Sequence, residues 1–153
     1  MNSDTTTVPT RGERNNNPGN LDYLPGIPWQ GQLGIEILTP EEAVAGEAPR
    51  FARFDTAQNG VRALVKQLLV YQTKHACRTL SEFVTRFAPD NENDTAAYAE
   101  DVAQWVGISP DAVMDMTDPT TAKKAAGAFI RQENGRCIYD AATIAAAVAS
   151  ALA

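Results

Sequence analysis

The sequence contains a single histidine, His75, and two cysteines, Cys77 and Cys137. So few nitrogen and sulfur ligands do not make a zinc site, and no metal or cofactor is implied. A cysteine peptidase or amidase built on Cys77 and His75 is disfavoured as well. Two positions apart in one segment, these side chains do not face each other on a helix. An excess of basic residues is also missing. The net charge is −6, which argues against a nucleic-acid partner, since such a partner calls for a basic face. No apolar run reaches membrane-spanning length, so no membrane insertion is expected. The first residues, MNSDTTTVPTRGER, lack an apolar signal core. A role outside the cytoplasm would then need a non-classical export route.

What is present is a globular composition. The chain has 153 residues, 44% of them hydrophobic, enough for one domain with a real core and no interdomain linker. Residues 1–12 are polar and read as a disordered terminal segment, leaving 13–153 as the domain. Residues 22–54 are rich in Pro and Gly, with short apolar runs at 34–38 and 51–54. They read as a small antiparallel β-lobe, with a turn or helical piece at 40–44. The rest reads as helices: 56–74, one opened by the Thr79–Glu82 capping box, one capped by Asn93 or Asp94 and stopped by Gly107, and a short one from Pro110. Two more start at Asp118-Pro119 and at Asp140.

The stretch Lys123–Gly135 stands out. Ala122, Ala125, Ala126, Phe129 and Ile130 form one apolar stripe at helical spacing, and Glu133 takes the next place on it. Asn134-Gly135 then reads as a helix stop. A carboxylate in the last turn of a buried helix has its pKa raised by burial and by the negative end of the helix dipole. A carboxylic acid that keeps its proton near neutral pH suits general-acid cleavage of a glycosidic bond. A Glu paired with an Arg, or turned to solvent, is the bland alternative. The Asn-rich turn at 14–21 can satisfy its own backbone or present amides to a sugar.

The strings RNNNPGNL, WQGQ, RFARFDTAQNGVRAL, APDNENDTAAY and IRQENG, in that order, resemble a family of small phage virion and lysis proteins suspected to be peptidoglycan hydrolases of lysozyme-like fold. The resemblance covers about residues 11–140. A second resemblance, to lytic transglycosylases and autolysin-type glucosaminidases, appears when the order is rotated. Gln132–Gly135 is similar to their catalytic Glu string, Asn16–Leu21 to their Asn-rich segment, and Thr95–Tyr98 to their Tyr-bearing helix. Together these imply an α+β, mostly α fold: a lysozyme-like helical domain with a small antiparallel β-lobe, circularly permuted. Permutation is physically tolerable where termini meet at the surface.

The resemblance implies cleavage of β-1,4 bonds between N-acetylmuramic acid and N-acetylglucosamine, with Glu133 as general acid. It makes Glu41 a candidate second carboxylate, with Glu42 one residue off, both in a segment that otherwise reads as a solvated acidic turn. Asn16, Asn17, Asn20 and Tyr98 would bind substrate, and Glu92 is a cleft-wall candidate. Trp29 would stack on a sugar or fill the lobe core. Cys77 and Cys137 are either bridged or unrelated buried thiols; a bridge would pin the loop leaving Glu133 and suit a periplasmic destination. Expected partners are glycan strands and, for a toxin delivered by a type VI secretion system, an immunity protein. The alternative routes are phage lysis or the virion, with a monomer acting in the periplasm. The competing class is a non-catalytic cell-wall-binding protein.

Overall fold

A computed structural model of the chain describes residues 8–153. Capping boxes start two short helices. Thr10 and Glu13 close α1 (Arg11–Arg14), and Thr39 and Glu42 close α2 (Pro40–Val44). In each, the Thr hydroxyl takes an amide hydrogen that the first turn cannot use, and the Glu returns a bond to the cap amide. Thus Thr10 and the start of α1 lie inside the segment expected to be disordered. Thr10 is tied down further, because its hydroxyl donates to Asn134 Oδ1 at 2.6 Å. Residues 1–7 of that segment lie outside the described residues.

The β-lobe consists of β1 (Gln32–Ile35) and β2 (Ala52–Phe54), paired antiparallel with a bulge between Gln32 and Gly34. Backbone bonds from Tyr23 to Arg50 and from Ala52 to Leu21 lay residues 21–23 along the other edge of β2. The apolar alternation is inverted along residues 33–37. Leu33, Ile35 and Ile37 are exposed, whereas Glu36 is 2% exposed. Five donors converge on that carboxylate: Arg11 Nε and Nη2 at 2.8 Å each, the amides of Arg50 (2.8 Å) and Phe51 (2.9 Å), and Asn15 Nδ2 at 3.2 Å. Burial pushes the Glu36 pKa up, but the bonds from Arg11, Phe51, Arg50 and Asn15 outweigh it and hold the group at about 2. A buried charge is tolerated only when paired and hydrogen-bonded in this way.

The helical part contains α3 (Ala57–Lys74), α4 (Leu80–Phe87), α5 (Thr95–Val106), α6 (Pro119–Asn134) and α7 (Ala141–Leu152), capped by Thr56, Thr79, Asp94, Asp118 and Asp140. Each cap side chain accepts an amide of the first turn. The architecture is therefore α+β and mostly α, seven helices with one two-stranded sheet among the described residues. Helix α3 packs on α7 and α5 on α6. Phe83, Leu64, Leu68, Phe129 and Ile130 are fully buried between the helices. A smaller cluster of Leu21, Ala52, Phe54 and Ala63 seats the lobe on α3, and Phe87 touches both clusters.

Two expectations are corrected. No helix starts at Pro110. Instead 109–114 runs beside the start of α4, with Leu80 and Ser81 donating to Ala112 and Pro110 and Met114 to Arg78. These bonds satisfy the open end of α4 and leave Ser109-Pro110-Asp111 as a turn. The cysteines are not bridged: Cys77 is buried and Cys137 exposed, both free. Each sulfur lies near a backbone carbonyl of its own segment, Glu82 for Cys77 and Tyr139 for Cys137.

Candidate functional site

Helix α6 points its last turn at the Asn-rich turn. Ala122, Ala125, Ala126, Phe129 and Ile130 are fully buried, and Gly135 ends the helix in the left-handed region at φ 77°. Asn134 then joins the two segments. It accepts from Thr10 and donates to the Pro18 carbonyl at 2.9 Å and to Ile130 at 2.8 Å. From the other side, Gly60 of α3 abuts the Asn16 carbonyl so closely that no Cβ would fit. The turn is thereby clamped between α3 and α6.

This clamp delivers Asn20 to Glu133. Asn20 Nδ2 donates to Glu133 Oε1 at 3.0 Å, and the Tyr98 hydroxyl of α5 donates to Oε2 at 2.9 Å. Both carboxyl oxygens are held by residues distant in sequence. Burial pushes the Glu133 pKa up and prevails over Asn20, Tyr98 and the nearby Arg50 charge, all of which favour the anion. Tyr98 is itself 4% exposed; burial and the adjacent carboxylate drive its pKa far upward, so its phenol stays a donor. Phe129 packs against Tyr98 at 5.9 Å between ring centroids and against Phe87 at 4.9 Å, fixing the phenol's orientation.

Glu133 lines a cleft of about 860 Å³ between the β-lobe and the helices. Trp29, Arg50 and Phe51 come from the lobe; Phe87 and Glu92 come from the helical side. Arg50 bridges the two sides, donating to Asp22 at 2.7 Å and to Glu92 at 3.0 Å. Asp22, which sequence reasoning did not single out, is thus a cleft residue; its only signal was its place directly after Asn20-Leu21.

Of the expected site residues, the structure brings together Glu133, Asn20 and Tyr98, and puts Glu92 and Trp29 on the cleft wall. It does not bring Asn16 and Asn17 there. Asn17 is fully buried, donating to the Leu21 and Ala52 carbonyls and accepting from the Leu21 amide. Asn16 Nδ2 donates to the Phe54 carbonyl. Both amides satisfy backbone, as buried polar groups must, and anchor β2 to the turn. Glu41 and Glu42 lie on α2, outside the cleft lining. Glu42 is occupied by its capping box and by Arg14 at 2.8 Å. Among the described residues no three His, Cys, Asp or Glu side chains come together to hold a metal, and no helix is long and apolar enough to cross a membrane.

Among curated proteins, the chain is similar to protein P5 of Pseudoalteromonas phage PM2. The two are 32% identical over 132 residues, which cover 84% of this chain and 74% of the phage protein. No family model matches the chain.

Proposed function

The chain belongs to the family of protein P5 of Pseudoalteromonas phage PM2, and on that premise we propose that it cleaves the glycan strands of peptidoglycan. The bond is the β-1,4 link between N-acetylmuramic acid and N-acetylglucosamine, and Glu133 is the acid. One observation carries the reading: a desolvated carboxylate with raised pKa, gripped on both oxygens, faces a cleft of about 860 Å³. A phage relative weighs toward a virion or lysis role, ahead of a type VI effector and its immunity protein. The lysozyme-like, permuted character of the fold belongs to the same proposal.

In this mechanism protonated Glu133 gives its proton to the leaving glycosidic oxygen as positive charge builds at the anomeric carbon. The resulting carboxylate then takes the proton of the incoming nucleophile and is restored. Asn20 and Tyr98 are positioned to stabilise it while it is charged. A second catalytic carboxylate would stand about 5 Å away as a nucleophile, or roughly 6.5–9.5 Å away to activate water. Glu41 and Glu42 are outside the cleft, and the cleft carboxylates Asp22 and Glu92 both engage Arg50. That arrangement favours Glu133 working alone, with the muramic acid's own 6-hydroxyl as nucleophile. Mass spectrometry of digested peptidoglycan is the test. Fragments with anhydro ends are expected; free reducing ends would keep the cleavage but bring in water. A digest without new glycan ends would end the proposal and leave a wall-binding protein.

The Tyr98 contact gives a second expectation. Tyr98→Phe removes a donor that favours the anion, so the Glu133 pKa rises further. Because the protonated acid is the active form, the alkaline limb of the pH–rate profile should move to higher pH. A limb that stays in place, or moves down, would detach it from Glu133.

A further inference from the structure

The cleft has a second polar wall, away from the Glu133 cluster. Lys74 is the last residue of α3, His75 caps it, and Arg86 lies in the last turn of α4. All three are exposed and line the cleft that holds Glu133. The Arg86 guanidinium sits 3.3 Å from His75 Nε2 and lies over the Tyr71 ring at 5.8 Å from its centroid. An arginine can only donate, so in this contact Nε2 of His75 is the acceptor.

The charges of this wall are not balanced. Among the described residues, neither Lys74 nor Arg86 is in an ion pair, whereas the other cleft cation, Arg50, is matched by Asp22 and Glu92. In a chain of net charge −6, two unmatched cations facing one cleft mark a place where an anion is stabilised. A guanidinium steadied by an aromatic face and a neighbouring imidazole suits a carboxylate, which it can grip with two parallel N–H bonds.

We propose that Lys74 and Arg86, with His75 orienting the guanidinium, form a subsite for the free carboxylates of the peptide stems that branch from the glycan. The inference rests on the glycan-cleaving reading and deepens it. The preferred substrate is then peptide-bearing glycan rather than the same glycan without stems, on which each muramic acid keeps only its lactyl carboxylate. Sugars in the cleft meet Glu133, Asn20 and the aromatic wall of Trp29 and Phe51, while the branch reaches the cationic wall.

The test compares two substrates and two variants. Sacculi are digested before and after an amidase has removed their peptide stems. Wild type should cut stem-bearing strands about tenfold faster than stripped ones, the effect of one good charged contact. The Lys74→Gln/Arg86→Gln double variant should lose that preference and keep its rate on stripped glycan. Charge-retaining Lys74→Arg/Arg86→Lys should restore most of it. An unchanged preference in the double variant, or an equal loss on both substrates, overturns the proposal. A binding arm separates this failure from failure of the glycan-cleaving reading. A free stem tetrapeptide, titrated into wild-type protein, should shift the NMR signals of His75 and Arg86; its fully amidated form should not. If no glycan is cut, the titration decides alone: selective shifts uphold the subsite, and their absence overturns it.

Discussion

Glu133→Gln is expected to lose at least about 10²–10⁴-fold in glycan cleavage, the range general acid catalysis commonly supplies. Gln keeps the shape and can still meet Asn20 and Tyr98, but it has no proton to give. Linkage predicts that the fold survives. Folding raises the Glu133 pKa, so the group supports the folded state while protonated and that support is lost as pH rises through the folded value. At neutral pH and above the wild-type site therefore carries a penalty for ionising, and the variant, with nothing to ionise, should be at least as stable. Turbidity loss of purified cell walls, measured beside circular dichroism on the same samples, provides the readout. A folded variant that clears walls at the wild-type rate would place the chemistry elsewhere, or show that the protein only binds.

Glu36→Ala should produce the largest loss of stability, about 3–5 kcal/mol, the usual result of removing one partner from a buried ion pair. For a domain of this size that lowers the melting temperature by roughly 10 °C. The five donors now aimed at Glu36 would lose their acceptor, and the Arg11 guanidinium would keep only Glu47, Glu42 and the face of Phe51. The pH dependence follows from a folded pKa of about 2 against an ordinary 4.5. The depressed value means that Glu36 contributes fully above pH 4.5 and that the contribution disappears as pH falls toward 2. Urea midpoints of wild type should therefore drop through that window, with a shallower fall in the variant. Parallel curves, or a variant within about 1 kcal/mol of wild type, would show that the β-lobe does not depend on this carboxylate.

The helices were legible because their ends are written in single residues. Thr79, Asp94, Asp118 and Asp140 each sit where a cap must be, and Gly107 and Gly135 each stop a helix in the left-handed region. Glu133 was legible because it interrupts an apolar stripe. Asn20 and Tyr98 were reachable only through resemblance, since contacts across 113 and 35 positions leave no mark on local pattern. Asn16 and Asn17 were misplaced because an amide reads the same whether it faces a ligand or its own backbone. Glu36 was missed for the opposite reason. In a strand of alternating Leu and Ile it looks like an outward polar position, yet the surrounding donors make it the inward one, and the apolar side chains face out. The Pro110 turn reads as a helix start because a cap and a first-turn proline occur in both.

The bond between Asn20 and Glu133 closes a loop of 113 positions, and the Asn134–Pro18 bond beside it closes one of 116. Contacts of such separation are entropically costly to form early and slow the approach to the native state. Helices α3 to α6 can pair with near neighbours as the polypeptide leaves the ribosome, but the carboxylate cannot gain its Asn20 partner until α6 has emerged. Assembly of this cluster is therefore a late folding event, and a nascent chain stopped before α6 would hold the cleft-facing wall of the β-lobe without Glu133.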